Sequence, residues 1–301
     1  MNLDKYKKEL SDLSAFLGED HDSVEFDYVS LVEDMIEDYE SFDQTKYTVY
    51  IPSKGRADSL SMHKHCIKEG IPYKVVVEPQ DADAYSETVG KDNLVILEKN
   101  DQGIAYARTS IKYHSEHLGE KYHWQMDDDM KHFSIRTGGK NVKVGLKNNI
   151  AIMEYVTELF DNIAISGMGN DVFAWSKPAP IKENQIACGC FLVNNSVDNY
   201  WRYGTVEDID YTLMCLEKGY STFVFSHIVF TSPPSGTNKG GNNLTDWQTV
   251  EKRKQFYEKF ASLWPNNFTV VPLEKHAVNK GWKLQHKRRF LADYKQRPNF
   301  K

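Results

Sequence analysis

Short apolar runs alternate with helical patterns through the first half of the chain. Residues 57–70 and 103–119 carry apolar side chains at helical spacing and end at Gly70 and Gly119. Four apolar runs predict buried strands: TVYIPS (48–53), KVVVEP (74–79), LVILEK (94–99) and YHWQM (122–126). Strands that alternate with helices favour a Rossmann-type, mostly parallel α/β sheet with helices on both faces.

The same alternation continues in the second half with longer gaps. The pattern predicts helices over 150–161, 207–219 and 246–262, and strands over 186–194 and 221–225. Segments rich in turn formers predict a basic loop over 136–149 and a mobile lid over 232–245. We therefore predict an α/β core over residues 46–231, an acidic helical extension over 1–45, and a lid loop with a basic helical region over 232–301.

The charge of the chain is unevenly distributed. Residues 1–45 hold fourteen acidic residues and three lysines, a net charge of −11, whereas residues 275–301 have a net charge of +8. Residues 130–153 carry five basic residues and no acidic one. Such a division indicates a polyanionic partner at the basic end, although solvated helix faces also carry charge runs.

Several functional classes are disfavoured by composition. The sequence has no apolar run of about 18 residues and no secretory signal at its start, which predicts a cytoplasmic protein without a membrane segment. The cysteines lack zinc-site spacing, and we expect buried free thiols in a reducing compartment. They are Cys66, Cys188, Cys190 and Cys215.

The sharpest chemical signal is a triple aspartate directly after the fourth predicted strand. In an extended segment alternate side chains share a face, so Asp127 and Asp129 point together and Asp128 points away. Two converging carboxylates suit Mn²⁺ or Mg²⁺, which keep open positions for diphosphate oxygens. We therefore predict a metal site at Asp127 and Asp129.

A second acidic group opens the helix predicted over 207–219. Glu207, Asp208 and Asp210 would stabilise a helix start, because the backbone N–H groups there favour negative charge. The functional interpretation makes Asp208 a general base that deprotonates an acceptor hydroxyl, with Glu207 as its catalytic neighbour. The sequence pattern supports both interpretations.

Four motifs in this order resemble the GT-A nucleotide-sugar transferases. They are Pro-Ser-x-x-Arg after the first strand, Gly103 to Arg108 on a helix, the DxD after the fourth strand, and Glu-Asp-x-Asp before Lys-Gly-Tyr. The resemblance covers about residues 46–231 and implies a GT-A-like fold that binds a nucleoside-diphosphate sugar, with UDP favoured. By this resemblance the donor-binding residues are Pro52, Ser53, Arg56, Glu78, Arg108 and Asp127.

One element of that family pattern is missing. The family often places a metal-binding histidine after the last core strand, where this chain has Thr231 and Ser232. The nearest histidine, His227, comes four residues early. We therefore expect water in place of a third protein ligand.

A more specific resemblance rests on two segments, VYIPSKGRADS and QMDDDM. Together they resemble the glycosyltransferases associated with TET/JBP-type base dioxygenases, known mainly from bacteriophage genomes. That resemblance implies transfer of a sugar to a hydroxymethylated pyrimidine in DNA, such as 5-hydroxymethylcytosine. Basic residues would then contact DNA phosphates, and aromatic rings near them could stack on bases, although any one of these rings could equally pack inside the protein. The basic candidates are Lys140, Lys143, Lys287, Arg288 and Arg289, and the aromatic ones are Trp201, Tyr203, Trp282 and Phe290.

Other functions remain open at this point. A GT-A enzyme could act on a polysaccharide or a protein, and the basic C-terminal residues are the feature that favours DNA. A sugar nucleotidyltransferase is disfavoured because PSKGR lacks the glycine-rich phosphate turn of that class. A non-catalytic DNA-binding module is disfavoured because it would have no use for the base Asp208.

Overall fold

The structure, a computed structural model, describes residues 27–174, 176–234, 239–241, 249–273, 281–286 and 290–301. The first part of the acidic extension (1–26), most of the predicted lid and the basic residues 287–289 lie outside the described residues. The division of the chain at residues 45 and 231 stays a prediction.

The strands and helices predicted for the first half are present, and β4 has the predicted bounds. The elements there are α1 (Tyr28–Glu37), β1 (Val49–Pro52), α2 (Met62–Glu69), β2 (Tyr73–Val77), α3 (Ala82–Val89), β3 (Leu94–Ile96), α4 (Ile104–His117) and β4 (Tyr122–Met126). Gly70 ends α2 in the left-handed conformation, which glycine adopts without a steric penalty.

The second half is richer in strands than the sequence indicated. Its elements are β5 (His132–Thr137), β6 (Lys140–Val144), α5 (Leu146–Glu158), β7 (Ile163–Asn170), α6 (Asp171–Ala174), β8 (Ile181–Glu183), β9 (Cys190–Asn194), α7 (Glu207–Glu217), β10 (Ser221–Thr231), α8 (Val250–Leu263), β11 (Phe268–Pro272) and β12 (Trp282–His286). The predicted basic helical region thus begins with α8 and continues as the β11–β12 hairpin.

Ten described strands form one sheet in the order β3-β2-β1-β4-β9-β7-β10-β5-β6, with β8 beside β10. The strands β3, β2, β1 and β4 are parallel, as are β7 and β10. The antiparallel strand β9 joins the two parallel groups, and β5 and β6 extend the sheet as a hairpin. The predicted α/β fold of Rossmann type is confirmed, and the carboxyl ends of β1, β2 and β4 share one edge.

Helices cover both faces of the sheet. The main core packs α1, α2 and α5 against one face, and Leu31, Val32, Met35 and Ile36 bury the apolar side of α1 there. Two smaller clusters place α4 and α7 against the opposite face. The outer side of α7 then packs on α8 and the β11–β12 hairpin through residues such as Phe260 and Phe268.

The prediction of a basic loop over 136–149 is wrong. Residues 136–144 belong to the β5–β6 hairpin, whose turn is Gly138-Gly139 with φ of +54° and +74°. Positive φ at both turn residues suits a two-residue hairpin, so these glycines connect strands and do not mark a long loop.

The missed strand β7 carries two glycines, which are unusual inside a strand. A Cβ atom on Gly167 would lie 2.7 Å from the Cβ of Ala187, and one on Gly169 would lie 3.0 Å from the carbonyl oxygen of Phe225. Neighbouring chain segments therefore approach β7 too closely for a side chain.

Helix α5 begins four residues before the predicted start because its cap comes from elsewhere in the chain. Gly145 has no side chain to accept from the first backbone N–H groups. The Glu69 carboxylate accepts instead, from Leu146 N at 3.1 Å and Lys147 N at 2.8 Å. The C-terminus of α2 thereby fixes the N-terminus of α5.

Replacing this distant cap should destabilise the fold. Glu69→Ala leaves two N–H groups of α5 without their acceptor, so we expect the free energy of unfolding to fall by about 1–2 kcal/mol. Denaturant unfolding measures the change, and the neighbouring exposed Lys68→Ala should change it by less than about 0.5 kcal/mol. Equal stabilities of the two variants would contradict this role of Glu69.

Candidate active site

The predicted site residues lie at the carboxyl edge of the sheet, on segments that follow or precede strands. Asp127 to Asp129 leave β4, and the backbone N–H of Asp127 donates to the carbonyl of Gly189 at 2.8 Å, just before β9. Asp128 and Asp129 contact Arg56 in the turn after β1. Asp127 contacts Arg108 of α4, which also lies close to Glu207 in the first turn of α7.

Arg108 is the centre of the cluster. Its guanidinium is 3% exposed and lies 3.1 Å from Asp127 and 3.5 Å from Glu207, and it also stacks 4.9 Å from the ring centroid of Phe191. Its Nε has no aligned hydrogen-bond acceptor among the described residues. Two carboxylates thus neutralise a buried cation that retains an unused N–H group.

The charge state of Asp127 follows from this crowding. Burial raises its pKa, Arg108 opposes that shift, and repulsion from Asp129 and Asp128 adds to it, which gives a pKa of about 6. The side chain still keeps 42% of its surface exposed. Asp127 can therefore reach both Arg108 and a ligand in the open part of the site.

Asp128 organises the turn after β1, a role that the sequence analysis did not give it. It is buried, accepts a hydrogen bond from Ser53 and lies 2.5 Å from Nη1 of Arg56. Arg56 is also 3.6 Å from Asp129, and its backbone N–H donates to the Tyr85 hydroxyl at 2.9 Å. The signal was present in the sequence, because the residue between two exposed aspartates points into the protein.

Residues 239–241, the described part of the predicted lid beyond residue 234, lie against the same turn. The Arg56 Nε donates to the Lys239 carbonyl at 2.7 Å, and the Gly241 N–H donates to the Lys54 carbonyl at 3.0 Å. A Cβ atom on Gly240 would lie 2.8 Å from the Lys54 carbonyl oxygen. The contact therefore depends on glycine.

Glu78, predicted beside the nucleoside, is buried at the end of β2. It lies 2.7 Å from Nζ of Lys54 and accepts from the Gln80 side chain at 2.8 Å. Lys54 also lies 2.5 Å from Asp101. Lys54 is a site residue that the sequence analysis missed, since its two partners lie on two other segments of the chain.

The three acids at the start of α7 have different surroundings. Asp210 is fully buried, is paired with Arg202 and accepts from the Trp264 indole at 2.7 Å. Glu207 faces Arg108, whereas Asp208 makes no ion pair within 4 Å among the described residues. Burial raises the pKa of both Glu207 and Asp208, and their mutual repulsion raises that of Glu207 further. Asp210 is thus a structural anchor, whereas Asp208 accepts from the backbone N–H of Ile209 at 2.9 Å and is not paired with a cation among the described residues.

The chemistry of the donor set fits a hard divalent cation held by two protein ligands. No group of three or more His, Cys, Asp or Glu side chains in the described part of the chain is arranged as a complete metal site. Asp129 keeps 25% of its side chain exposed beside the half-exposed Asp127. Mg²⁺ commonly binds one or two carboxylates and completes its shell with water and phosphate oxygens.

In the described part of the chain, no histidine takes the position expected for a third ligand. The ring of His227 is 3.0 Å from the Lys177 carbonyl, and Thr231 donates to Asp171 at 2.5 Å. Cys188 is exposed beside this cluster, so the prediction of a buried thiol is wrong there, because β9 begins only at Cys190. The other three cysteines are buried as predicted.

The residues predicted to bind DNA are only partly brought to the site. Lys140 begins β6 at the turn of the hairpin, at the edge of the sheet opposite to the aspartates, whereas Lys143 pairs with Ser134 nearer the site. Trp201 and Phe290 are buried, which favours packing, but Tyr203 is 57% exposed. Lys254 lies 4.7 Å over the ring of Trp282. Lys287, Arg288 and Arg289 lie outside the described residues.

Comparison with known proteins bears on the identity of this site. A crystal structure of a mycobacterial protein is similar at a TM-score of 0.45 and 8% identity, over 84% of this chain and 87% of that chain, a similarity too low to carry an argument. No curated protein matches the chain. No helix among the described residues is long and apolar enough to cross a bilayer.

A protein-family model, by contrast, matches residues 47–241, which include the turn after β1, the triple aspartate and the start of α7. The match covers more than half of the chain and every site residue described above from Ser53 to Asp208. The chain therefore belongs to the TET-associated glycosyltransferase family.

Proposed function

We propose that this glycosyltransferase moves a sugar from a nucleoside-diphosphate sugar, with UDP favoured, to a hydroxymethylated pyrimidine such as 5-hydroxymethylcytosine in DNA. The proposal includes Mn²⁺ or Mg²⁺ at Asp127 and Asp129 and a direct displacement with inversion at the sugar. The observation that carries it is the cluster of Asp127, Arg108, Glu207 and Asp208 at the carboxyl edge of the sheet.

The charge balance of the site supports a cation. Four carboxylates contact the guanidiniums of Arg56 and Arg108, and the charge of a fifth, Asp208, acts on Arg108, so carboxylates outnumber guanidiniums before any donor binds. A diphosphate would add further negative charge at the same place, and like charges repel strongly where water is scarce. A divalent cation on Asp127 and Asp129 would offset this repulsion and stabilise the charge on the departing diphosphate.

Arg108 and Arg56 are the protein groups suited to the donor phosphates. Arg108 is held rigidly by Asp127, Glu207 and Phe191, and its positive charge would lie close to the diphosphate. A preformed donor of this kind loses little conformational freedom on binding. Pro52 and Ser53 end β1 beside Arg56, and Glu78 with Lys54 would lie at the nucleoside.

Asp208 is the proposed base because the other acids of α7 are engaged. Glu207 is paired with Arg108, and Asp210 is bound to Arg202 and Trp264. The acceptor oxygen would bond to the anomeric carbon as the bond to the diphosphate breaks. The electron pair would leave with the diphosphate, and the hydroxyl proton would pass to Asp208.

The acceptor is proposed from chemistry and family together. The family is associated with enzymes that oxidise bases in DNA, and the hydroxymethyl group that such oxidation creates is a nucleophile of the required type. The net charge of +8 over residues 275–301 complements a phosphate backbone.

A test of the acceptor is to incubate the protein with Mn²⁺, a panel of nucleotide sugars, and hydroxymethylated or ordinary DNA. A hexose or pentose mass increment on hydroxymethylated DNA alone supports the proposal, and transfer only to carbohydrate or protein overturns it.

Removing the proposed base should slow turnover without weakening the donor complex. For Asp208→Asn we expect kcat to fall about 10²–10⁴-fold, the usual contribution of a positioned proton acceptor, with an unchanged Kd for the nucleoside diphosphate. Asp198→Asn makes the same chemical change at an exposed position away from the cluster and should retain activity. A collapse of nucleotide affinity in Asp208→Asn would instead make Asp208 a ligand.

Gly189 offers a test of the geometry around Asp127. It has φ of +72°, and an added Cβ would lie 3.2 Å from Phe230 and 3.5 Å from the Asp127 carboxylate. Gly189→Ala should cost about 1–2 kcal/mol of stability and also lower transferase activity, because the methyl group would cover part of the proposed metal ligand Asp127.

Gly119→Ala is the matched control for Gly189→Ala. Gly119 has φ of +73°, and an added Cβ would meet nothing within 4 Å. We expect a similar loss of stability with normal activity, as measured by thermal unfolding and initial rates. Equal activity of the two variants would contradict the importance of this contact.

A further inference from the structure

The segment that leads into α7 presents an exposed aromatic ring on an anchored backbone. Trp201 is buried and stacks on Tyr211 with ring centroids 4.0 Å apart and planes within 9°. Arg202 is bound by Asp210, and the Tyr203 carbonyl accepts from Lys259. Between these anchors the Tyr203 side chain is 57% exposed. An exposed aromatic ring on a fixed backbone is ready to bind a planar ligand at little entropic cost.

Tyr203 lies close in the chain to the proposed base. Gly204, with φ of +74°, turns the backbone directly after it, and α7 begins at Glu207. Asp208 is five positions after Tyr203, so their Cα atoms are at most about 18 Å apart. A nucleic acid strand that contacts Tyr203 can therefore reach Asp208 over a few nucleotide units.

The surroundings of Tyr203 combine aromatic and basic groups. The ring of Phe256 meets it edge-on at 6.1 Å, and Nζ of Lys259 lies 5.8 Å from its centroid. Helix α8, which carries both residues, holds Lys252, Arg253, Lys254 and Lys259 against two glutamates. A ring flanked by positive charge suits single-stranded nucleic acid, whose bases stack while its phosphates attract cations. An uncharged polysaccharide would not be attracted by these positive charges.

We propose that Tyr203 is an acceptor-binding residue that stacks on a nucleobase of the DNA strand to be modified. The inference rests on the proposed function and adds a requirement on the form of the acceptor. In a duplex both faces of each base are covered by its neighbours, so a base stacks on Tyr203 only after it leaves the helix. Single-stranded or mismatched sites are therefore better acceptors than fully paired ones.

The experiment compares Tyr203→Ala and Tyr203→Phe with the parent protein under saturating donor and Mn²⁺. The acceptor is an oligonucleotide with one 5-hydroxymethylcytosine, either single-stranded or fully paired. Tyr203→Ala should raise the KM for the single strand about tenfold to hundredfold and leave kcat within about threefold. Tyr203→Phe should resemble the parent, because stacking needs the ring and not the hydroxyl. The preference for the single strand should shrink in Tyr203→Ala.

Phe173→Ala provides the matched control. Phe173 is an equally exposed aromatic residue, 62% accessible, on α6 at the end of β7, and its removal should leave the acceptor KM unchanged. An unaltered KM in Tyr203→Ala, a loss confined to kcat, or a KM effect in Phe173→Ala alone would each overturn the inference while the proposed function stands. A parent protein that modifies no oligonucleotide would overturn the proposed function itself.

Discussion

The site depends on how two arginines hold an excess of carboxylates together at one edge of the sheet. Arg108 joins Asp127 to Glu207, and Arg56 joins Asp128 to Asp129. Neither guanidinium is well solvated, since the side chains are 3% and 15% exposed. Removing one partner of such a buried pair is costly, because the remaining charge is left without compensation. The four segments that supply these residues are therefore fixed relative to one another.

Close backbone approaches around the cluster reinforce that arrangement. Gly189 brings the start of β9 within hydrogen-bonding distance of Asp127, and Gly240 and Gly241 bring residues 239–241 onto the turn that carries Arg56. A side chain at Gly240 or Gly241 would separate these segments, because the added Cβ atom would lie 2.8 Å from the Lys54 carbonyl oxygen or 2.9 Å from Nη2 of Arg56. The contact at 239–241 also places part of the predicted lid beside a proposed phosphate-binding arginine, which is where a segment that excludes water from a donor is useful.

The sequence predicted the parts of the structure that are encoded locally. The strand ending at Asp127 and the helix beginning near Asp208 follow from short patterns of apolar and acidic residues. Features that depend on distant partners were missed. Glu69 caps α5 from 77 residues away, and Lys54 pairs with Glu78 and Asp101 on other segments. Strand β7 contains Gly167 and Gly169, because neighbouring segments leave no room for a side chain at these positions. The roles of Asp128 and Asp210 required knowing which arginine each one contacts.

The proposed donor site carries so much negative charge that a diphosphate should bind tightly only with a divalent cation. Calorimetric titration of UDP into the parent protein, with Mn²⁺ and then with excess EDTA, measures this dependence without requiring knowledge of the acceptor. We expect affinity to fall by at least about tenfold in EDTA, equivalent to about 1.4 kcal/mol or more, and we expect Asp129→Asn in Mn²⁺ to behave like the parent in EDTA. Equal affinity with and without the cation would contradict it.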